Sequence, residues 1–147
     1  MKVYVLSGSS NVGKTNTLHR LAILMNNMQK KYKLDVAIGA APPSKMPFDG
    51  DRQYAFDELA TGRKIGISTA GDNREAIDGA FDFFARNKCD IGFVASKSYG
   101  CSIDEIETRS HAIHVTPVYF WLIWNVNGRR SRNQVQTDTA QILEAVI

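Results

Sequence analysis

Residues 2–16, KVYVLSGSSNVGKTN, decide how the chain is read. Val3, Tyr4, Val5 and Leu6, preceded by Lys2, are a short run of strand formers. They pass without a break into Gly8-Ser9-Ser10-Asn11-Val12-Gly13-Lys14-Thr15, which fits the pattern G-x-x-x-x-G-K-[ST]. The spacing has a physical reason. Gly8 and Gly13 allow a turn tight enough to aim successive backbone N–H groups inward, at the oxygens of a phosphate. A helix starting near Gly13 would point its unpaired N–H groups and positive dipole end at the same anion. Leu18, Leu21, Ala22, Met25 and Met28 recur at helical spacing after the loop, so the strand before it and the helix behind it are both in place.

With that motif in that context, the chain resembles the P-loop NTPases, and the compact kinase- or GTPase-like members in particular. The resemblance covers the eight residues from Gly8 to Thr15 closely and the rest only in architecture. It implies a three-layer P-loop fold. It also implies nucleotide contacts from Gly8, Ser9, Ser10, Asn11, Val12, Gly13, Lys14, Thr15 and Asn16, with Lys14 reaching the β- and γ-phosphates and the Thr15 hydroxyl ligating Mg²⁺.

The 147 residues suit a single domain spanning 1–147, long enough to bury a core. The hydrophobic fraction of 44% and charged fraction of 22% are those of a soluble globular chain. A formal charge of +3 tolerates a polyphosphate ligand but makes nucleic acid an unlikely partner. The four apolar residues after Lys2 do not make a leader, and the longest apolar run, 118–124, is far too short to cross a bilayer. Cys89 and Cys101 have no zinc-spaced partners and read as reduced thiols. A cytoplasmic protein without a membrane partner is the expectation.

Helices are expected over 14–31, 51–61, 73–87, 102–111 and the C-terminal stretch, where Val135, Thr139, Ile142, Leu143 and Val146 share a face. Strands are expected over 2–6, 34–38, 64–69, 90–95 and 115–124. Strands alternating with helical crossovers predict an α/β fold: a five-stranded, mainly parallel sheet with helices on both faces. By analogy with the resembled family, the strand order is 2-3-1-4-5. Ligands of such sheets bind beyond the carboxyl ends of the strands, which gathers the loops 8–15, 70–73, 96–100 and 125–132 at one edge.

Beyond the loop, the third strand runs into Ser68-Thr69-Ala70-Gly71-Asp72. This looks like the D-T-A-G element of the GTPases with serine in place of the aspartate, which argues against a direct GTPase mechanism. Asp72 is then the carboxylate able to hold a metal water or orient a nucleophile, or else it caps the next helix. Ala95-Ser96-Lys97-Ser98 keeps only the lysine of the guanine-reading N-K-x-D, so ATP is the default ligand; Lys97 stacks on a base, contacts phosphate or is a solvated surface residue. Arg129, Arg130 and Arg132 cluster before the last helix, and Arg130 is the candidate transition-state cation. The catalytic candidates are therefore Lys14, Asp72 and Arg130, and the metal candidates Thr15 and Asp72. His19, Asp35, Trp121 and the Asp78/Asp82 pair read as structural, and Arg109 as a modest substitute for a lid arginine.

Two main readings follow, beside a weaker third in which the basic turn from Arg129 to Arg132 meets nucleic acid and binding falls steeply with salt. One is a Mg²⁺-dependent, ATP-binding protein that hydrolyses ATP or passes its γ-phosphate to a small-molecule acceptor bound under residues 40–61, near Asp49, Asp51 and Arg52. The other is a nucleotide-dependent switch with little turnover, in which residues 42–51 respond to the γ-phosphate. Completion of the site by a second subunit or a protein partner stays open in both.

Overall fold

The computed structural model describes residues 1–8, 13–44, 50–121 and 131–147. In chain order the elements are β1 (Lys2–Gly8), α1 (Lys14–Asn27), β2 (Tyr32–Ile38), β3 (Gln53–Glu58), β4 (Lys64–Ser68), α2 (Arg74–Arg86), β5 (Ile91–Lys97), α3 (Cys101–Ala112), β6 (Val118–Trp121) and α4 (Arg132–Ala145). One six-stranded sheet carries them, in the order β2-β3-β4-β5-β1-β6. Strands β4, β5, β1 and β6 are mutually parallel, whereas β2-β3-β4 is an antiparallel meander.

Helices cover both faces. Leu18, Leu21, Ala22 and Met25 of α1, with Ala140 and Leu143 of α4, bury Tyr4, Leu6, Tyr54, Phe56, Ile65, Ile67, Ile91 and Phe93. On the other face Ile77, Ala80, Phe81, Phe83 and Phe84 of α2, with Ile106 of α3, pack on Val3, Val5, Ala55 and Val94. The predicted stripe of α2 is thus the buried one, extended by Phe83. Gly66 and Gly92 are register partners on adjacent strands. A Cβ on either would lie 2.6 Å from the Phe84 ring, so the ring lies flat on bare backbone. Two glycines give the aromatic its seat.

Three expectations need correction. The sheet is mixed and has six described strands, not five and mainly parallel. The helix expected over 51–61 is β3 and its hairpin. Tyr54 and Phe56, two residues apart, are both buried against α1, while Ala55 faces α2. Period-2 burial of aromatics on a two-sided inner strand overrides the helical propensity of the flanking residues. Gly62, just past the end of that expected helix, sits at φ 73° in the β3–β4 turn, where its N–H donates to Glu58 O at 2.8 Å. Finally, the expected order 2-3-1-4-5 fails because β5 lies between β1 and β4. Six of its seven residues are buried, so it belongs at the centre of the sheet.

Smaller shifts are instructive. The buried face of α4 is Gln136, Ala140 and Leu143, with Ile142 55% exposed. Ser102 does not cap α3: the N-cap is Gly100, and Glu105 pairs with Arg74 at 3.0 Å. Arg109 is spent on Asp78 (3.2 Å) and Asp82 (2.7 Å), riveting α3 to α2, so it is no lid. Asp35, at the bulge of β2, pairs with Lys64 as a structural residue. Trp121, expected in the core, is 58% exposed on the edge strand β6 and stacks on Tyr119. No described helix is long and apolar enough to cross a membrane.

Candidate functional site

Parallel strands put the carboxyl ends of β1, β4, β5 and β6 on one edge, and the glycine-rich loop leaves that edge from β1. Gly8 ends the strand and Gly13 sits immediately before α1 in the left-handed region, φ 86° and ψ 29°. An L-residue there is strained, which is what the second glycine of the motif is for. Gly13 O accepts the Thr17 N–H (2.9 Å) and the Thr17 hydroxyl (2.8 Å), closing the first turn of the helix. Ser9, Ser10, Asn11 and Val12, between the glycines, and Arg129 and Arg130 lie outside the described residues. Of Arg132 only the backbone, at the start of α4, is described.

Lys14 folds back across the loop, and its Nζ donates to Gly8 O at 2.7 Å. The residue is buried, 6% exposed. Burial holds the ammonium below its ordinary pKa; the Asp72 charge pulls it back up, and the Lys97 charge pushes it down again. Three loops therefore converge: Lys14 from the start of α1, Asp72 after β4, Lys97 at the end of β5. Asn73, not Asp72, caps α2, its side chain accepting from Ala76 N at 2.8 Å. Asp72 is exposed and forms no ion pair among the described residues, so its carboxylate is available to the edge.

Thr15 Oγ1 donates to Thr69 O at 3.1 Å, which ties α1 to the end of β4. Thr69 is locked in turn to Arg52, its N–H donating to Arg52 O (3.0 Å) and its Oγ1 accepting the Arg52 N–H (2.8 Å). The serine that replaces the GTPase aspartate points elsewhere, since Ser68 Oγ accepts from Gln53 Nε2 at 3.3 Å. Gly71 packs so closely on β5 that a Cβ there would lie 1.7 Å from Ala95 O. That contact seats the Asp72 loop against the strand bearing Lys97.

Thr15 and Asp72 are the residues here whose donor chemistry would suit Mg²⁺. The Thr15 hydroxyl and the Asp72 carboxylate are hard donors, and Mg²⁺ takes one or two protein oxygens and fills the rest of its octahedron with phosphates and water. Among the described residues no cluster of three His, Cys, Asp or Glu could hold an ion by itself.

Sequence reasoning missed Gln136. It lies on α4, 2% exposed, and a Cβ on Gly13 would come within 2.2 Å of its Nε2. Its Oε1 accepts from Arg20 Nε at 3.1 Å, so the C-terminal helix braces the start of α1 at Gly13. His19, buried on α1, bonds Gly50 O through Nε2 at 2.9 Å and steadies the chain entering β3. Beside that segment, Ile38, Gly39, Asp51, Arg52, Gln53, Ser68, Ala70, Ala76 and Gly79 line a cleft of about 210 Å³. Of the expected acceptor contacts it includes Asp51 and Arg52, while Asp49 lies outside the described residues.

Compared with protein families, curated proteins and solved structures, the chain matches none. The functional reading rests on the chemistry of the site.

Proposed function

We propose that the chain is an ATP-binding protein of the P-loop class that hydrolyses ATP or transfers its γ-phosphate to a small acceptor. The observation that carries the reading is the pair Gly13 and Lys14: a left-handed glycine before α1, and a buried lysine folded back onto Gly8 O at the loop mouth. Phosphoryl transfer asks a protein mainly for positioning and for neutralisation of charge. Lys14, the loop amides and the N-terminus of α1 supply both. Thr15 and Asp72 would hold Mg²⁺ alongside the phosphates, and the ion would supply further positive charge. Lys14 gives up a backbone carbonyl to reach a phosphate, and the incoming anion offsets the burial that depresses its proton affinity. The cleft beside Asp51 and Arg52 suits the acceptor.

A switch with little turnover is the second reading, and one observation favours it. The strand positions that end β4 and β5 are Ser68 and Lys97, where a hydrolytic centre would place a carboxylate.

Calorimetric titration of ATP and GTP with Mg²⁺ tests the proposal on the wild type, Lys14→Ala and Asp72→Ala. Wild-type binding lost in Lys14→Ala supports it, and a weakened Mg²⁺ dependence in Asp72→Ala supports the metal assignment. A wild type that binds neither nucleotide overturns it. Turnover that rises when a small acceptor is added separates the kinase from the switch.

A further inference from the structure

Lys97 is placed with unusual care for a residue at the end of a strand. It pairs with Gly8 across the parallel β1–β5 ladder, at the point where the phosphate loop leaves the sheet. Side chains alternate along a strand. Ile91, Phe93 and Ala95 face α1, so Lys97 falls on the α1 side as well, the side from which Lys14 reaches Gly8 O. The Lys97 charge is felt at Lys14, while its own ammonium forms no ion pair among the described residues.

Three buried serines from three elements hold its backbone. Ser7 Oγ of β1 donates to Lys97 O at 3.3 Å, and Ser96 Oγ of β5 donates to the same oxygen at 2.7 Å. Ser102 Oγ of α3 accepts the Lys97 N–H at 3.3 Å and lies 3.3 Å from Ser96 Oγ. Burying three hydroxyls is costly unless each is bonded. Here their bonds converge on the N–H and C=O of one residue, and the residue so fixed is a half-exposed cation whose charge reaches another. Two like charges brought together in a partly desolvated place destabilise the empty protein. A polyanion between them reverses the sign of that interaction.

We propose that Lys97 is a second phosphate-contacting lysine, which grips the polyphosphate chain together with Lys14, with Ser7, Ser96 and Ser102 as its positioning residues. The inference rests on the nucleotide reading above and extends it. The cation that most P-loop chemistry takes from Mg²⁺ is supplied in part by the protein, so this site should hold a polyphosphate with less help from the metal.

The test is calorimetry with inorganic tripolyphosphate, which removes the base from the problem, in EDTA and in Mg²⁺. It compares the wild type with Lys97→Met, Lys97→Arg, Ser102→Ala and Lys14→Ala. A charged hydrogen bond to phosphate corresponds to roughly ten- to a hundredfold in affinity. Lys97→Met is expected to lose that much, with the greater loss in EDTA, while Lys97→Arg stays near the wild type and Ser102→Ala falls between. Lys97→Gln replaces Lys97→Met should the latter fail to fold. Unchanged affinity in the neutral variants, with binding abolished in Lys14→Ala, overturns the inference and leaves the phosphate loop standing. A wild type that binds neither tripolyphosphate nor ATP overturns both.

Discussion

Gly13→Ala tests the loop and its brace together. An alanine forced into the left-handed region costs roughly 1–2 kcal/mol. Its Cβ would also meet Gln136 Nε2 at 2.2 Å, far inside contact distance. The neighbour is the end of a flexible side chain, so it moves, and in moving it breaks the 3.1 Å bond from Arg20 to Gln136 Oε1, worth about 1 kcal/mol. The expected total is a loss of about 2–3 kcal/mol, read as a lowered midpoint in urea with an unchanged slope. A domain of this size has about 5–15 kcal/mol in hand, so the variant folds. Gln136→Ala alone should cost about 1–2 kcal/mol for the lost bond and contacts. In the double variant the collision is gone and only the backbone strain remains. The cycle should then show a coupling of about 1 kcal/mol, the double variant being more stable than the sum of the singles predicts. Additivity to within about 0.5 kcal/mol would refute the claim that α4 braces the start of α1 through this contact. Under the proposed function, any nucleotide affinity lost in Gly13→Ala should not recover in the double variant, because Gln136→Ala relieves the collision and not the strain.

Further predictions concern the core and pH. Gly92→Ala places a Cβ 2.6 Å from the fully buried Phe84 ring, and overpacking of this kind should cost about 1–3 kcal/mol in urea unfolding. Phe84→Leu in the same chain should recover part of that loss. Burial holds His19 below its ordinary pKa of 6.5, although its bond to Gly50 O and the Asp51 charge oppose the shift and Arg52 adds to it. The unfolded chain therefore binds a proton more readily than the folded one. The stability held above pH 6.5 should drain away as the pH falls below it, and His19→Gln should flatten that slope in urea titrations between about pH 7 and 5. An identical slope in the two proteins would remove His19 as its source. Glu58 and Glu144, both held below the ordinary carboxylate range, contribute their own loss only at lower pH.

What was legible in the sequence was local. The strand and helix that flank the glycine-rich motif could be read because Val3 to Leu6 are adjacent strand formers and Leu18, Leu21, Ala22 and Met25 repeat at a single period. The same holds for α2, whose apolar stripe is a near-neighbour pattern, whereas its cap is Asn73 and not the expected alternative Asp72. Strand β3 was misread because Tyr54, Ala55 and Leu59 also satisfy a helical spacing. What decides between the two is that α1 and α2 bury opposite faces of that segment, and no window of local sequence contains this. The strand order was misjudged for a related reason: analogy supplied it, while the burial of β5 on both faces is a property of the finished sheet.

The site divides along the same line. Lys14 is a motif residue, but the two charges that set its environment come from positions 72 and 97, and they oppose one another. In sequence each is an ordinary surface residue after a strand. Gly71 brings the first close by abandoning its side chain against Ala95 O, and three hydroxyls hold the second by its backbone. A carboxylate alone beside Lys14 would neutralise it and weaken its pull on phosphate, whereas a second lysine alone would favour its deprotonation. With both present the two charges oppose one another at the ammonium, and burial remains the larger influence on it. That balance is what supports reading the edge as a polyphosphate site: a merely structural turn has no use for two lysines drawn together beside one carboxylate.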